Sequence, residues 1–384
     1  MAEVKHTERA HALLSASGAT RWMSCTPSAR LEEKFEESST SSYAQEGTLA
    51  HEFADINLRW ENNEITKGVY TSELKRLRTD KFYTDEMEEQ VSKYVGIVME
   101  MFTALKSEHP ETELIVERRV DYSHLVEGGF GTGDACIVSK KVIVVADLKY
   151  GKGVQVDAEN NPQLRLYGLG ALRDFDLIHP IEKVRMVVIQ PRLDHISEEE
   201  LLVSDLKAWG LNEVKPKAEL AYKGLGDKKA GSHCKWCRVK AMCTTLADEN
   251  LELAKHDFKK PDLLTDEQVV GIYKQLPMLV DWANSVSSYM LDQANKGKAY
   301  TGLKLVEGRS NRRWSSEEDV TKRLKSLDIP KEDYTTQKLK GLGAIEKLVG
   351  KKDFSTKFSD LVIKPQGKPS LVPLDDKRPA MGIE

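Results

Sequence analysis

Two aspartates and a lysine stand where they can act together. Gly131-Thr132-Gly133-Asp134 is followed thirteen residues later by Asp147-Leu148-Lys149. Asp134 lies at the start of one expected strand, 130–138, and Asp147 at the end of its hairpin partner, 142–148. Antiparallel neighbours run about 4.8 Å apart, so two such carboxylates can converge on one hard cation. Mg²⁺ suits that arrangement, because it takes a few carboxylates and keeps places for water and phosphate oxygens. Asp147 also ends the apolar run Val142-Ile143-Val144-Val145-Ala146. A carboxylate buried there is costly without a partner, and a cation supplies one. Strand alternation puts Lys149 on the face of Asp147, where an ammonium orients water or offsets charge building on a phosphate. Acid, acid and lysine on one hairpin form a compact arrangement for metal-assisted phosphodiester hydrolysis. The competing reading is a hairpin whose polar residues merely cap strand ends.

A second group is sulfur-based. The chain has five cysteines, an odd number, and three of them form Cys234-x₂-Cys237-x₅-Cys243. Bunching of this kind calls for a metal or a cluster. Cys25 is the candidate fourth ligand, because Cys136 sits inside a strand beside Asp134 and reads as a small buried hydrophobe. Thiolates suit iron–sulfur clusters and zinc alike; with zinc, His233 can stand in for Cys25.

The elements that position these residues follow from periodicity. Residues 7–16 read as a short helix or turn, and a helix is expected from Ser28 to Glu37. The polar run Ser38-Ser39-Thr40-Ser41-Ser42 reads as a loop. A buried helix spans Gly47 to Trp60, and a long amphipathic one runs from Thr84 to Lys106, with Met87, Val91, Tyr94, Val98 and Phe102 on one side. Strands are expected at 113–120, 130–138 and 142–148, then a helix at 160–175, a strand at 183–190 and a helix near 197–209. That order predicts an α/β sandwich. Helices follow at 265–296, at 316–327 and from Gly343, with strand-like pieces from Tyr300 to Val306. The tail from residue 364, with four prolines, is expected to be extended or disordered.

Composition sets the outer limits. At 384 residues the chain is too long for one ordinary domain. The layout reads as 1–250 holding both sets of chemical residues, 251–363 as a largely helical accessory region, and 364–384 as the tail. With 31% charged residues, no stretch of eighteen apolar residues and no apolar leader near Met1, a cytoplasmic protein with no membrane association is expected. A net charge of −4 does not advertise a nucleic-acid binder. Basic pairs such as Arg118-Arg119, Lys140-Lys141 and Arg312-Arg313 read first as solvated surface.

The ordered set of motifs carries a resemblance. Gly47-x-x-x-His51, Gly131-x-x-Asp134, Asp147-x-Lys149-x-Gly151 and Gln163-x-x-x-Tyr167 resemble, in order, the motifs of RecB/Cas4-like nucleases of the PD-(D/E)XK superfamily. The resemblance covers roughly residues 47–167. It implies a restriction-endonuclease-like α/β core, with a central mixed sheet flanked by helices, a helical N-terminal part and an α+β extension. It implies His51, Asp134 and Asp147 as ligands of Mg²⁺ or Mn²⁺, joined by the Leu148 carbonyl, with Lys149 catalytic. Gln163 and Tyr167 would position the substrate strand, and their i, i+4 spacing places them on one helix face. Glu117, one strand earlier, reads first as an exposed strand residue and second as an extra acidic ligand. Tyr150 departs from the pattern, which often has a small hydroxyl residue there. Cys25 with the C-x₂-C-x₅-C run resembles the [4Fe–4S] clasp of Cas4 and AddB-type nucleases, with zinc as the alternative. By the disulfide analogy, closing a loop of roughly 200 residues removes unfolded-state entropy worth about 5 kcal/mol.

The leading expectation is a metal-dependent deoxyribonuclease, an exonuclease rather than a site-specific endonuclease. The whole-chain layout resembles a phage- and prophage-encoded family, which points to DNA replication, recombination or processing. DNA is then the partner, together with a phage single-stranded-DNA-binding or recombination protein. The alternatives are a non-catalytic nucleic-acid-binding or assembly subunit and, more remotely, an iron–sulfur redox protein. The Gly341-Leu342-Gly343 turn resembles the phosphate-binding turn of helix-hairpin-helix modules, although an ordinary glycine turn is favoured.

Overall fold

The computed structural model describes residues 12–35, 42–256, 266–308, 312–335, 339–363, 365–366, 369–373 and 379–381. His6, His11, Arg309 and the polar stretch 38–41 lie outside the described residues. The chain divides into two units, Met1–Trp282 and Ala283–Glu384, so the first unit extends past the boundary at 250 expected from composition.

The first unit opens with two short helices, α1 (Ala19–Ser24) and α2 (Ser28–Glu32), the latter ending before the expected Glu37. Then come α3 (Ser42–Glu61), α4 (Lys67–Leu77) and α5 (Asp85–Glu108). Thr84 caps α5 by accepting from Met87 N–H, and Asp85, Glu86 and Glu88 complement the positive end of its dipole. The strands β1 (Glu113–Asp121), β2 (Phe130–Val138) and β3 (Val142–Leu148) run antiparallel as a meander. Helix α6 (Pro162–Phe175) crosses over to β4 (Lys183–Gln190), parallel to β3, and β5 (His195–Leu202) closes the sheet antiparallel. The result is a five-stranded mixed sheet in the order β1-β2-β3-β4-β5, flanked by helices as expected.

Side-chain alternation divides the core between the two faces. Ala135, Ile137, Val144, Ala146, Leu148, Val187 and Ile189 pack with α3 and α5. Cys136, Val138, Ile143, Val145, Val184, Met186 and Val188 pack with α1 and α6. On this second side lie α7 (Val203–Trp209) and α8 (Lys215–Lys223), which run on from β5 through a π-turn at Gly210–Val214. The helix expected near 197–209 is therefore half strand. His195–Leu202 alternates between half-buried and exposed residues and pairs along the whole of β4, with Glu200 reaching Lys183 and Arg185.

The unit continues through the cysteine segment and α9 (Thr244–His256) into α10 (Asp266–Asn295), within which the division falls. The second unit contains β6 (Leu303–Glu307), β7 (Arg313–Trp314), α11 (Glu317–Lys325), α12 (Lys331–Tyr334), α13 (Leu342–Val349), α14 (Lys351–Lys357), β8 (Val362–Ile363) and β9 (Pro369–Pro373). Val320, Leu324, Tyr334, Ile345, Phe354, Phe358 and Leu361 form its own core. The tail is extended where described, and β9 pairs antiparallel with β6.

Candidate metal centre

The sheet brings the chemistry to one place by breaking its own alternation. On β1, Val116 packs toward α3 and α5, yet Arg118 pairs with Asp174 of α6, on the opposite side. The residue between them, Glu117, has φ 49°. Left-handed backbone is uncommon for a side chain of this size, and such strain concentrates where function requires it. The partner strand slips at the same level. Ala135 faces α3 and α5, whereas Gly131 and Gly133 lie against the Tyr167 ring of α6. Pairing resumes on both sides, Val116 with Ala135 and Arg118 with Gly133. Glu117 and Asp134 are left facing each other at the kink.

Helix α3 brings His51 to the same point. His51 Nδ1 lies 3.0 Å from Asp134 Oδ1, and Asp134 Oδ2 accepts from the Leu148 N–H at 2.7 Å. His51, Glu117 and Asp134 each offer a ligand atom within 4.8 Å of the others. Imidazole nitrogen with carboxylate oxygens fits a divalent cation. Asp147 is not in this closest trio. It is almost fully buried, with Oδ2 2.7 Å from the Lys149 ammonium as an ion pair. Gln163 ties the two together: its Nε2 donates to Asp147 Oδ1 at 3.2 Å and its Oε1 accepts from Lys149 at 3.2 Å. Gln163 Nε2 also donates to the Tyr167 hydroxyl at 3.3 Å. The expected Asp134, Asp147, Lys149, Gln163, Tyr167 and His51 thus converge; Leu148 contributes through its N–H.

Charge crowding shows in the protonation balance. Burial, with Asp134 close by, pushes the Glu117 carboxyl up to about 7, against the pull of His51. Burial alone would lower the His51 imidazole, but Asp134 outweighs it and holds the ring above its ordinary value. Burial likewise raises Asp147 against Lys149, while Asp147 keeps the Lys149 ammonium charged against burial. An excess of buried carboxylate that resists ionisation is what a cation would relieve. Reading Glu117 first as an exposed strand residue is corrected here: it is half-buried inside the cluster. Alternation could not reveal that, because the residue itself interrupts it.

Other neighbours are structural. Glu52 points to Arg76. Tyr150 is buried with its ring beneath Arg192, 4.6 Å from the guanidinium, so its departure from the small-hydroxyl pattern is taken up by packing. Burial pushes the Cys136 thiol up to about 12, as befits an inert core residue. Arg118 and Lys141 are paired with carboxylates and Arg119 lies over Phe130.

The cysteine segment is looser. Cys25, Cys234, Cys237 and Cys243 all line one small cavity, with His233. His233 Nε2, however, is 2.9 Å from the Lys229 carbonyl. Among the described residues, no three of the sulfurs come within 4.8 Å of one another, so the thiols are not gathered into a closed cage. Burial pushes Cys237 up to about 12 and raises Cys234 as well. The two chain segments are also joined by ordinary hydrogen bonds. Glu32 accepts from Arg21 and from the Arg238 N–H at 3.0 and 2.8 Å, Arg30 donates to the Tyr222 carbonyl, and Thr26 donates to the Leu225 carbonyl.

Fold and site together define an α/β protein whose mixed sheet carries a histidine–carboxylate centre suited to a divalent cation. The chain belongs to the family described as Protein of unknown function (DUF2800), which matches residues 11–379. Among solved structures it is similar to SSO0001, at 17% identity over 57% of this chain and 95% of that one, with a TM-score of 0.24. It is also similar to a "Putative exonuclease" from Eubacterium rectale, at 11% identity over 66% of this chain and 90% of that one, with a TM-score of 0.35. Among the described residues no helix is long and apolar enough to cross a membrane.

Proposed function

We propose that the protein is a divalent-metal-dependent nuclease acting on DNA, with the chemistry centred on Asp134, Asp147 and Lys149. The observation that carries this reading is the convergence of His51, Glu117 and Asp134 within 4.8 Å, beside the hydrogen-bonded set Asp147, Lys149 and Gln163. His51, Glu117 and Asp134 would hold Mg²⁺ or Mn²⁺, with Asp147 and the Leu148 carbonyl bordering the site. When bound, the ion supplies Lewis-acid stabilisation of charge on the phosphate. Lys149 adds a fixed ammonium at the point where that charge builds, held in place by Asp147 and Gln163. Gln163 and Tyr167 present a polar edge to the substrate strand. By family analogy an end-dependent exonuclease is the favoured reading, and the resemblance of the whole-chain layout points to phage DNA processing.

The four cysteines are proposed to hold a [4Fe–4S] cluster that ties the N-terminal segment to residues 234–243. The donor set is all thiol. Thiolates suit tetrahedral zinc as well; the split pattern, one distant cysteine before C-x₂-C-x₅-C, favours the cluster, which spreads four thiolates over separate irons. Its role is stability and the shape of the DNA path, with no redox step.

The test is anaerobic purification of the full chain, iron, sulfide and zinc analysis, and an assay on end-labelled linear, circular and single-stranded DNA and on RNA. Mn²⁺-dependent release of nucleotides from DNA ends is expected. Tight binding of DNA with no cleavage under any divalent ion would instead make the chain a non-catalytic subunit.

A further inference from the structure

Tyr94 lies on the buried face of α5 and is fully enclosed, and among the described residues its hydroxyl has no hydrogen-bond partner. Buried polar groups nearly always have a partner, so an orphan needs a reason. The fold supplies one. Helix α5 packs against α3, which carries His51, and against β1, which carries Glu117. Tyr94 packs in one cluster with Val116, Ala135, Ala146 and Leu148, the chain neighbours of Glu117, Asp134 and Asp147, and burial, together with those three carboxylates, opposes ionisation of its phenol. An enclosed, unpaired donor beside a group of carboxylates suits a small bridging molecule, and an enclosed water needs two to four polar partners.

We propose that Tyr94 is a positioning residue of the acidic centre, donating a hydrogen bond to a water enclosed beside the cation. Tyrosine suits this role because its phenol stays neutral among carboxylates. It remains a donor where a carboxyl or imidazole would exchange its proton. The helix periodicity hides this role, because Tyr94 falls in register with Met87, Val91 and Val98 and reads as core. The inference rests on the divalent-cation reading of His51, Glu117 and Asp134.

The test compares full-length wild type, Tyr94→Phe and Asp134→Ala, using Mn²⁺ as the probe. Free Mn²⁺ is followed by paramagnetic resonance, and thermal melts are recorded with and without chelator. Partners that orient a metal's ligands typically contribute 10- to 100-fold to affinity, so Tyr94→Phe is expected to bind Mn²⁺ about 10-fold more weakly. Its metal-free melting temperature should be unchanged or higher, because the variant removes only an unsatisfied hydroxyl. Wild-type affinity in Tyr94→Phe overturns the proposal. So does a lowered metal-free melting temperature in that variant, which would mark a structural hydroxyl. If wild type binds Mn²⁺ no better than Asp134→Ala, the cation reading itself falls and the role of Tyr94 falls with it.

Discussion

The acidic centre and the cysteine segment are both built from residues far apart in sequence, yet they differ in how much is in place before any metal arrives. In the first, His51, Asp134, Asp147, Lys149 and Gln163 already hydrogen-bond or ion-pair with one another across α3, β2, β3 and α6. In the second, the thiols surround a cavity without closing on it, and short 3₁₀ turns at Ser232–Trp236 and Lys240–Met242 carry them. Sites on sheet and helix are held by packing, whereas sites on turns depend on what they bind. On the proposed reading, the acidic residues govern chemistry with little effect on folding. The cysteines would do the reverse.

The largest test of that division is Asp134→Ala. Cleavage should fall at least about 1000-fold, the scale reached when a group stabilising transition-state charge is removed. Melting should change little once chelator is present, because the substitution also relieves crowding with Glu117. Lys149→Ala should reduce kcat to a similar degree while leaving Mn²⁺ binding intact. Unchanged activity in a clean Asp147→Ala preparation would remove the proposed active site.

Cys237→Ser probes the other side of the comparison. The loop between Cys25 and Cys234 spans roughly 200 residues, for which a covalent closure is worth about 5 kcal/mol. The hydrogen bonds that join Glu32 to the Arg238 N–H, Arg30 to the Tyr222 carbonyl and Thr26 to the Leu225 carbonyl already tie these segments, so a loss of about 2–4 kcal/mol is expected, with the remaining folded protein still cleaving DNA. An unaltered melting temperature, with no iron or zinc in the wild type, would leave the thiols without a resident group.

Gly131→Ala should produce a smaller effect and one specific to the acidic centre. An added Cβ would sit 2.6 Å from the Tyr167 ring, and overpacking of this kind costs about 1–3 kcal/mol. Tyr167 would be forced from Gln163, so the affinity for a DNA strand should drop more than the affinity for Mn²⁺. Equal loss of both would mean that the glycine supports the whole sheet rather than the tyrosine.

The residues that were legible in advance are those whose role follows from local spacing. Lys149 follows Asp147 by two residues at the end of β3, Gln163 and Tyr167 share a helix turn, and the β2–β3 hairpin sets Asp134 beside Asp147. What periodicity could not show arises from tertiary pairing. Residues 195–202, with Glu198, Glu199 and Glu200 in succession, look helical in isolation, and only the edge of β4 makes them a strand. Helix α4 is too polar to display an apolar stripe, although Thr66 caps it. Glu117 and Tyr94 were hidden for opposite reasons: one interrupts a strand pattern and the other fits a helix pattern too well.

The smallest expected effect is a pH dependence, and it separates the two regions cleanly. In the metal-free protein Glu117 has its carboxyl raised from 4.5 to about 7, so the folded state favours the protonated form. Its contribution to stability is complete below pH 4.5 and is lost as pH rises through 7. His51, also raised, acts in the same direction, because protonated imidazole is the form its neighbours prefer. Chelated protein should therefore melt at progressively lower temperature from about pH 5 to pH 8. Mn²⁺ takes the ionised carboxylate, so its stabilising effect should grow across the same interval. Glu117→Gln keeps a neutral side chain at all these pH values. It should flatten the metal-free profile and weaken Mn²⁺ binding, while leaving the contribution of Cys237 untouched. A Glu117→Gln profile parallel to wild type would place the titrating group elsewhere and return Glu117 to the role of an ordinary strand residue.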